Sequence, residues 1–190
     1  MNPDYQQLRA RIEAFRPGCD QESADRTMML RQMELRDRML TRDDPVIHFT
    51  ASSWIVSPDR RQVLLVWHEL YRSWSWTGGH ADGDPDLLAV AMREAREETG
   101  LEKIRPVLED IFSLEILAVA GHVKRGEYLS SHLHLNATYL LEADPGAALR
   151  PAPGETSRVG WFDMDEAIPL SSEPHMRPIY RKLIEKTRAL

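Results

Sequence analysis

Three glutamates stand close together near the middle of the chain, at a density of carboxylates that could hold a metal ion. Glu94, Glu97 and Glu98 are spaced i, i+3 and i+4, so on a helix their side chains converge on one patch. Like charges at this spacing repel by about 0.2–0.5 kcal/mol per pair. A bound cation reverses this cost, because hard ions such as Mg2+ prefer clustered oxygen ligands. The cluster therefore suits a cation site, although three glutamates on one helix are more often a solvated acidic face paired with neighbouring arginines, here Arg93 and Arg96.

The segment around these glutamates predicts a helix that follows a glycine turn. Asp84 is suited to cap the helix, Pro85 to occupy its first position and Gly100 to end it. Upstream, Gly78 and Gly79 follow a strand, where glycine lets a ligand approach the backbone and lets a carbonyl point inward. Together these features suit a metal-bound pyrophosphate that water attacks. Four residues are predicted to form the packed stripe of the helix: Leu88, Ala91, Met92 and Ala95.

These residues resemble the Nudix box, the pattern G-x5-E-x7-R-E-U-x-E-E-x-G-U, in which U is a bulky aliphatic residue. Its positions are taken by Gly79, then Arg93 and Glu94, then Glu97 and Glu98, and finally Gly100 and Leu101. Two positions depart from the pattern: Pro85 replaces the first glutamate and Ala95 replaces the aliphatic residue. The resemblance covers roughly residues 46–170, where the flanking segments HFTASSWIVS and VGWF also resemble strands of the family.

The resemblance implies an α/β/α sandwich and Mg2+- or Mn2+-dependent hydrolysis of a nucleoside diphosphate linked to another moiety. It implies that Glu94 and Glu98 bind the metal and that Glu97 contributes a ligand or positions water. The carbonyl of Gly78 would complete the ligand set, and Arg93 would hold a glutamate in place. Pro85 would slow the chemistry without ending it.

Three glutamates are alternatives for the general base, because Nudix proteins use either a glutamate of the box or one from a later loop. Glu98 is the candidate within the box. Glu127 and Glu155 lie in the loop-like segments KRGEY and APGETS, and each is also explained as a solvated loop residue.

Several further residues could contact a phosphorylated substrate. Gly79 and His80 at the start of the box and Arg72 ahead of it are candidates, and Lys124 and Arg125 are further basic residues. A structural hydrogen bond in the turn explains His80 equally well.

The other histidines predict no metal site. His132 and His134 alternate along a strand and so share one face, while His48 opens another strand. Because Cys19 is the single cysteine, zinc is not expected, and packing or substrate contact is the preferred interpretation of this pair.

Composition indicates an ordinary globular protein. The 190 residues are 42% hydrophobic and 28% charged, and the formal net charge of -6 argues against broad nucleic-acid or membrane binding. The N-terminal residues lack the apolar region of a signal peptide, and no apolar run is long enough to span a bilayer. We expect a cytoplasmic protein with a small phosphorylated nucleotide-type substrate, and a homodimer is possible.

The pattern of elements predicts the α+β class, with a mixed sheet flanked by helices and an N-terminal helical extension. Residues 1–42 are predicted to form the extension and residues 43–190 the Nudix domain. In the extension, Ser23 or Asp25 would cap a helix whose stripe contains Met29, Met33 and Leu40. HFTASSWIVS and RRQVLLVWHE are predicted to form a hairpin joined by PDR.

The sequence favours a metal-dependent pyrophosphohydrolase over two other functions of the same fold. A Nudix-fold module that binds a nucleotide without turnover is the main alternative, favoured by Pro85 and the extra helices. An isomerase of the same fold would need a catalytic cysteine ahead of the box, where this chain reads WSWTGGH. The substrate stays open.

Overall fold

A computed structural model describes residues 3–124, 126–152, 154 and 156–190. Glu155 and Arg125, named above as a candidate base and a candidate phosphate partner, lie outside the described residues. The helices are α1 (Pro3–Ala14), α2 (Asp20–Leu35), α3 (Leu87–Thr99), α4 (Ala167–Leu170) and α5 (Met176–Arg188), with a 3-10 turn at Met164–Glu166. The strands are β1 (Ile47–Val56), β2 (Gln62–His68), β3 (Ser73–Ser75), β4 (Thr77–His80), β5 (Ile104–Pro106), β6 (Ser113–Val119), β7 (His122–Lys124), β8 (Glu127–Leu129), β9 (His132–Ala143) and β10 (Thr156–Asp163).

Eight of these strands form one sheet, and β7 pairs with β8 in a separate hairpin. The main order is β10-β2-β1-β9-β5, with β3 pairing with β2, β4 with β1, and β6 with β9. Within the described part of the chain, no helix is both long and apolar enough to span a membrane.

The chain divides into two compact units. The first contains residues 1–51, 79–90 and 109–139, and the second contains residues 52–78, 91–108 and 140–190. Four elements run from one unit into the other along the chain: β1, β4, α3 and β9.

The second unit is built on the predicted β1–β2 hairpin. Ile55 faces Leu64 and Val56 faces Val63 in antiparallel register, which confirms the turn at PDR. Helix α5 packs its aromatic residue Tyr180 against Trp54, with ring centroids 5.5 Å apart. Because Trp54 and Tyr180 are almost fully buried, this aromatic pair anchors the core of the unit.

The first unit joins α2 to β6 and β9 through buried polar groups. Ser113 Oγ lies 2.7 Å from Glu22 Oε1 and also hydrogen-bonds with Glu115 Oε1. On the other side, Asn136 Nδ2 and Thr138 Oγ1 donate to Glu115 Oε2 at 3.1 and 2.8 Å. A serine hydroxyl has one hydrogen, so it cannot donate to two carboxylates at once. At any moment the hydroxyl hydrogen therefore points to one of the two glutamate oxygens.

This hydrogen count makes a prediction about Glu115. Glu115→Gln supplies an amide hydrogen to Ser113 and keeps an oxygen for the donors from β9, so stability should change by less than about 0.5 kcal/mol. Glu115→Ala removes one hydrogen bond from each of those buried donors and should cost about 2 kcal/mol. Urea unfolding of both variants measures the difference. Equal losses in the two variants would contradict the hydrogen-bond explanation.

The N-terminal helices form, but the predicted boundaries of the second were wrong. Helix α2 begins at Asp20, so Ser23 and Asp25 lie inside it, and Asp25 accepts a hydrogen bond from the backbone N–H of Ile116 at 2.9 Å. The helix ends at Leu35 because the next residue is extended, with φ -138° and ψ 143°. Met29 and Met33 are buried as predicted, whereas the predicted Leu40 lies beyond the helix and Met39 is the fully buried residue there.

Candidate functional site

Helix α3, which carries the acidic residues, begins at Leu87. The prediction had Asp84 as the cap and Pro85 as the first helical residue, so the helix begins two residues later than predicted. Asp86 caps it: its carbonyl accepts from the N–H of Val90 at 3.0 Å, and its Oδ1 accepts from the N–H of Ala89 at 3.2 Å. Asp84 stabilises the turn before the helix, because its Oδ1 accepts a hydrogen bond from the N–H of Asp86 at 2.9 Å. The two aspartates flanking Pro85 therefore form the turn into the helix.

The buried stripe of α3 also differs from the predicted one. Leu87, Val90, Ala91 and Ala95 are buried, while the predicted Leu88 and Met92 are only half-buried. Ser53 Oγ in β1 donates to the carbonyl of Ala91 at 2.9 Å, which fixes the rotation of the helix in the second unit. Continuing the observed stripe toward the C-terminus brings Glu94 and Glu98 onto the packed side of the helix.

Glu98 is the most enclosed of the three box glutamates, with 6% of its surface exposed. Its Oε2 accepts a hydrogen bond from the backbone N–H of Gly78 at 3.0 Å. This contact holds the carboxylate against the end of the glycine-bearing strand, so the carbonyl of Gly78 lies on the same short stretch of backbone. An enclosed carboxylate beside a backbone carbonyl is a set of oxygen donors that suits a hard divalent cation.

Glu94 is paired with its neighbour in the sequence. Arg93 donates through Nη2 to Glu94 Oε1 at 3.1 Å, and 18% of the Glu94 side chain is exposed. This is the kind of contact that the resemblance implied for Arg93. It holds the Glu94 carboxylate in one orientation and offsets part of the negative charge of the helix.

Glu97 lies on the exposed side of α3, so the three carboxylates do not all face one way. Of the described side chains that could bind metal, the three box glutamates are not a group whose oxygens lie within 4.8 Å of one another. Glu98 therefore contacts Gly78, and Glu94 lies on the same packed side of the helix. The predicted metal-binding roles of these residues and of Glu97 stay predictions.

The remaining candidates occupy separate places. Gly79 and His80 belong to β4, directly after Gly78. Arg72 is exposed in the turn between β2 and β3, where its φ of 48° is in the left-handed region. Glu127 is exposed in β8, opposite Lys124 in the β7–β8 hairpin. Their predicted contacts with substrate or water stay predictions.

A cluster of histidines in the first unit was not predicted from the sequence. His48, His80 and His134 each place a ligand nitrogen within 4.8 Å of the others, and His132 stacks against His48 with ring centroids 5.0 Å apart. His132 Nε2 lies 3.1 Å from His134 Nε2, which confirms that these two residues share one face of β9. The one signal in the sequence was this alternating pair; His48 and His80 join it only through strand pairing.

A strand with two glycines that is hydrogen-bonded to an acidic helix is the arrangement that the resemblance to the Nudix fold implied. A model of the NUDIX domain matches residues 47–183. The chain therefore belongs to the Nudix hydrolase family, as the sequence predicted, and it is a hydrolase of the α+β class.

Solved structures agree with this fold. A MutT protein from Methanosarcina mazei Go1 is 14% identical with a TM-score of 0.58, over 76% of this chain and 98% of that one. RenU, a Nudix hydrolase from M. smegmatis, is 18% identical with a TM-score of 0.55, over 75% and 87%. An Ap4A hydrolase from C. elegans is 20% identical with a TM-score of 0.51, over 74% and 95%. Comparison of the sequence with curated proteins gives no match.

Proposed function

We propose that this protein hydrolyses the pyrophosphate bond of a nucleoside diphosphate linked to another moiety, using Mg2+ or Mn2+. The observation that carries the proposal is the enclosed Glu98 carboxylate held on the N–H of Gly78, on the helix that also carries the paired Glu94. Membership of the Nudix hydrolase family supports the reaction class, and the Ap4A hydrolase fold of C. elegans makes dinucleoside polyphosphates one substrate class to test.

The donors of the site fit a hard divalent cation, because all of them are oxygens. Glu94, Glu98 and the carbonyl of Gly78 would hold it, with Glu97 as a further ligand or a contact for water. A cation bound there would neutralise phosphate oxygens and lower the pKa of a bound water. Arg93 would keep Glu94 aimed at the ion.

The reaction needs one proton acceptor. Water forms a bond from its oxygen to phosphorus, the bridging P–O bond breaks, and the departing phosphate keeps the bridging oxygen. A carboxylate takes the proton that water loses, and Glu98 is the base that we prefer because it is anchored and enclosed. Gly79, His80 and Arg72 are the proposed contacts for the substrate.

The domain bounds, the cellular location and the oligomeric state of the protein are part of the same proposal. Residues 43–190 would form the catalytic domain and residues 1–42 a helical extension, which is supported by the family match beginning at residue 47. We propose a cytoplasmic protein without a stable nucleic-acid complex, and a homodimer is the oligomer to test.

The test is a substrate panel with the protein carrying no affinity tag. Nucleotide sugars, dinucleoside polyphosphates, oxidised nucleotides and coenzyme A are incubated with Mg2+ or Mn2+, with and without EDTA. We expect cleavage of at least one compound, loss of cleavage in EDTA, and recovery when the ion is restored. In 18O-labelled water, one phosphate product should carry the label.

A control variant and a second outcome make this test decisive. Glu102→Gln changes an exposed glutamate just beyond the box and should leave the rate unchanged. Tight nucleotide binding without turnover under every metal condition would favour the alternative, a Nudix-fold module that senses a nucleotide.

A further inference from the structure

A group of imidazoles converges where three strands meet in the first unit. Ring centroids of His48 lie 5.1 Å from His80 and 5.0 Å from His134, and those of His80 and His134 are 5.0 Å apart. From these three residues, one ligand nitrogen each lies within 4.8 Å of the other two. This group contains none of the glutamates of the box, and His80 is the one residue that it shares with the proposed substrate contacts.

Main-chain hydrogen bonds at the start of β1 fix this arrangement. The N–H of Ala81, just after β4, donates to the carbonyl of Phe49 at 3.1 Å. The N–H of Leu133 in β9 donates to the carbonyl of Val46 at 2.8 Å. Ala81 follows His80 and Leu133 precedes His134 in the chain. Because these two residues are hydrogen-bonded to the backbone on either side of His48, the sheet itself brings His80 and His134 to His48.

His48 already has the tautomer that a metal ligand needs. Its Nδ1 lies 3.2 Å from the carbonyl oxygen of Asp44 and so carries the hydrogen, which leaves the lone pair on Nε2. That Nε2 is buried, and no hydrogen-bond partner among the described residues reaches it. Histidines that bind metals characteristically donate their other ring nitrogen to a backbone carbonyl in this way.

Two of the three imidazoles also have a pKa shifted toward the uncharged form. Burial, followed by the neighbouring imidazoles, lowers the pKa of His134 to about 2. Burial is likewise the main cause that lowers the pKa of His48.

We propose that His48, His80 and His134 bind one divalent transition-metal ion, with Zn2+ as the best-suited ion. Three imidazoles with an open fourth position are an established zinc donor set, whereas Mg2+ prefers oxygen ligands. Two nitrogens bound at about 2.0–2.1 Å on a tetrahedral ion lie about 3.3 Å apart. The ligand nitrogens of the three histidines lie within 4.8 Å of one another. Side-chain shifts of about 1–2 Å would therefore bring them to the metal-bound separation, which rotation of half-buried rings allows.

The test measures zinc binding by the full chain without an affinity tag, after treatment with EDTA and dialysis. Titration of Zn2+ against a competing chelator dye should give about one equivalent per chain. Co2+ in place of Zn2+ should produce the intense visible absorption of a tetrahedral site. His80→Ala and His134→Asn should each weaken Zn2+ binding by more than about 100-fold. These residues are half-buried, so circular dichroism should show that both variants fold.

Two controls separate this site from other binding. His175→Ala removes an exposed histidine in the second unit and should leave the titration unchanged. Glu94→Gln with Glu98→Gln should also keep the full equivalent, so the proposed function can fail without affecting this result. The proposal is overturned by the absence of a stoichiometric Zn2+ equivalent in wild-type protein, or by undiminished binding in folded His80→Ala and His134→Asn. Either result would mean that the four rings only pack and hydrogen-bond with one another.

Discussion

Glu98→Gln is expected to lower the rate of hydrolysis by at least about 1,000-fold while leaving the protein folded. Loss of a general base alone costs about 10²–10⁴ in rate, and this carboxylate is also a proposed metal ligand. Glutamine keeps the shape of the side chain and an oxygen that can accept the 3.0 Å hydrogen bond from the N–H of Gly78. The substitution therefore removes the charge and the basicity but retains the contact that positions the side chain.

The measurement is kcat and KM on the best substrate of the panel at saturating Mg2+, together with thermal unfolding. Glu102→Gln is the matched control, because it makes the same chemical change on an exposed residue. Glu97→Gln provides a comparison within the box; its exposed position leads us to expect a smaller loss. Activity within about tenfold of wild type for Glu98→Gln would show that the proposed base and ligand are wrong.

Gly100→Ala is expected to destabilise the protein by about 3 kcal/mol, the largest stability effect predicted here. Gly100 ends α3 with φ +72°, a conformation that costs an L-residue about 1–2 kcal/mol. A Cβ at this position would also lie 2.9 Å from the Cβ of Arg150 and 3.1 Å from its backbone nitrogen. Arg150 cannot easily yield, because its N–H donates to the carbonyl of Thr99 at 2.8 Å.

Gly126→Ala separates the cost of a positive φ from the cost of the steric contact with Arg150. Gly126 has φ +87°, and a Cβ built there meets nothing within 4 Å, so only the backbone cost of about 1 kcal/mol is expected. Chemical denaturation of both variants measures the difference. Equal destabilisation would show that contact with Arg150 contributes nothing. Because α3 carries Glu94 and Glu98, a loosened C-terminus should also weaken any metal bound there.

The fold and the position of the candidate site were predictable because their signals are local in the sequence. The Nudix box, the PDR hairpin and the C-terminal helix depend on residues within a few turns or strand positions of one another. Gly100 was predicted to end α3 because glycine tolerates a positive φ, and the structure has φ +72° there. The resemblance added the chemistry, since spacing alone does not distinguish a metal site from a solvated acidic face.

The start and the rotation of α3 were not predictable in the same way. Asp84 and Asp86 are both suitable caps by residue type, and the choice of Asp86 depends on the path of the preceding turn. The predicted stripe included Leu88 and Met92 because their spacing of about 100° per residue puts them on one helix face with Ala91 and Ala95. In the structure, Ser53 bonds to the helix at Ala91, and this rotation places Glu98 on the enclosed side.

The sequence by itself determined that the chain belongs to the Nudix family, that an acidic helix follows a glycine pair, and that one helix end requires glycine. Only the tertiary structure decided which carboxylate is enclosed, and that Ser113 lies between two buried glutamates. It also decided that His48, His80 and His134 meet, although 86 positions separate the first from the last. The physical reason is that residue type and short-range spacing set local conformation, whereas strand pairing sets which distant side chains become neighbours.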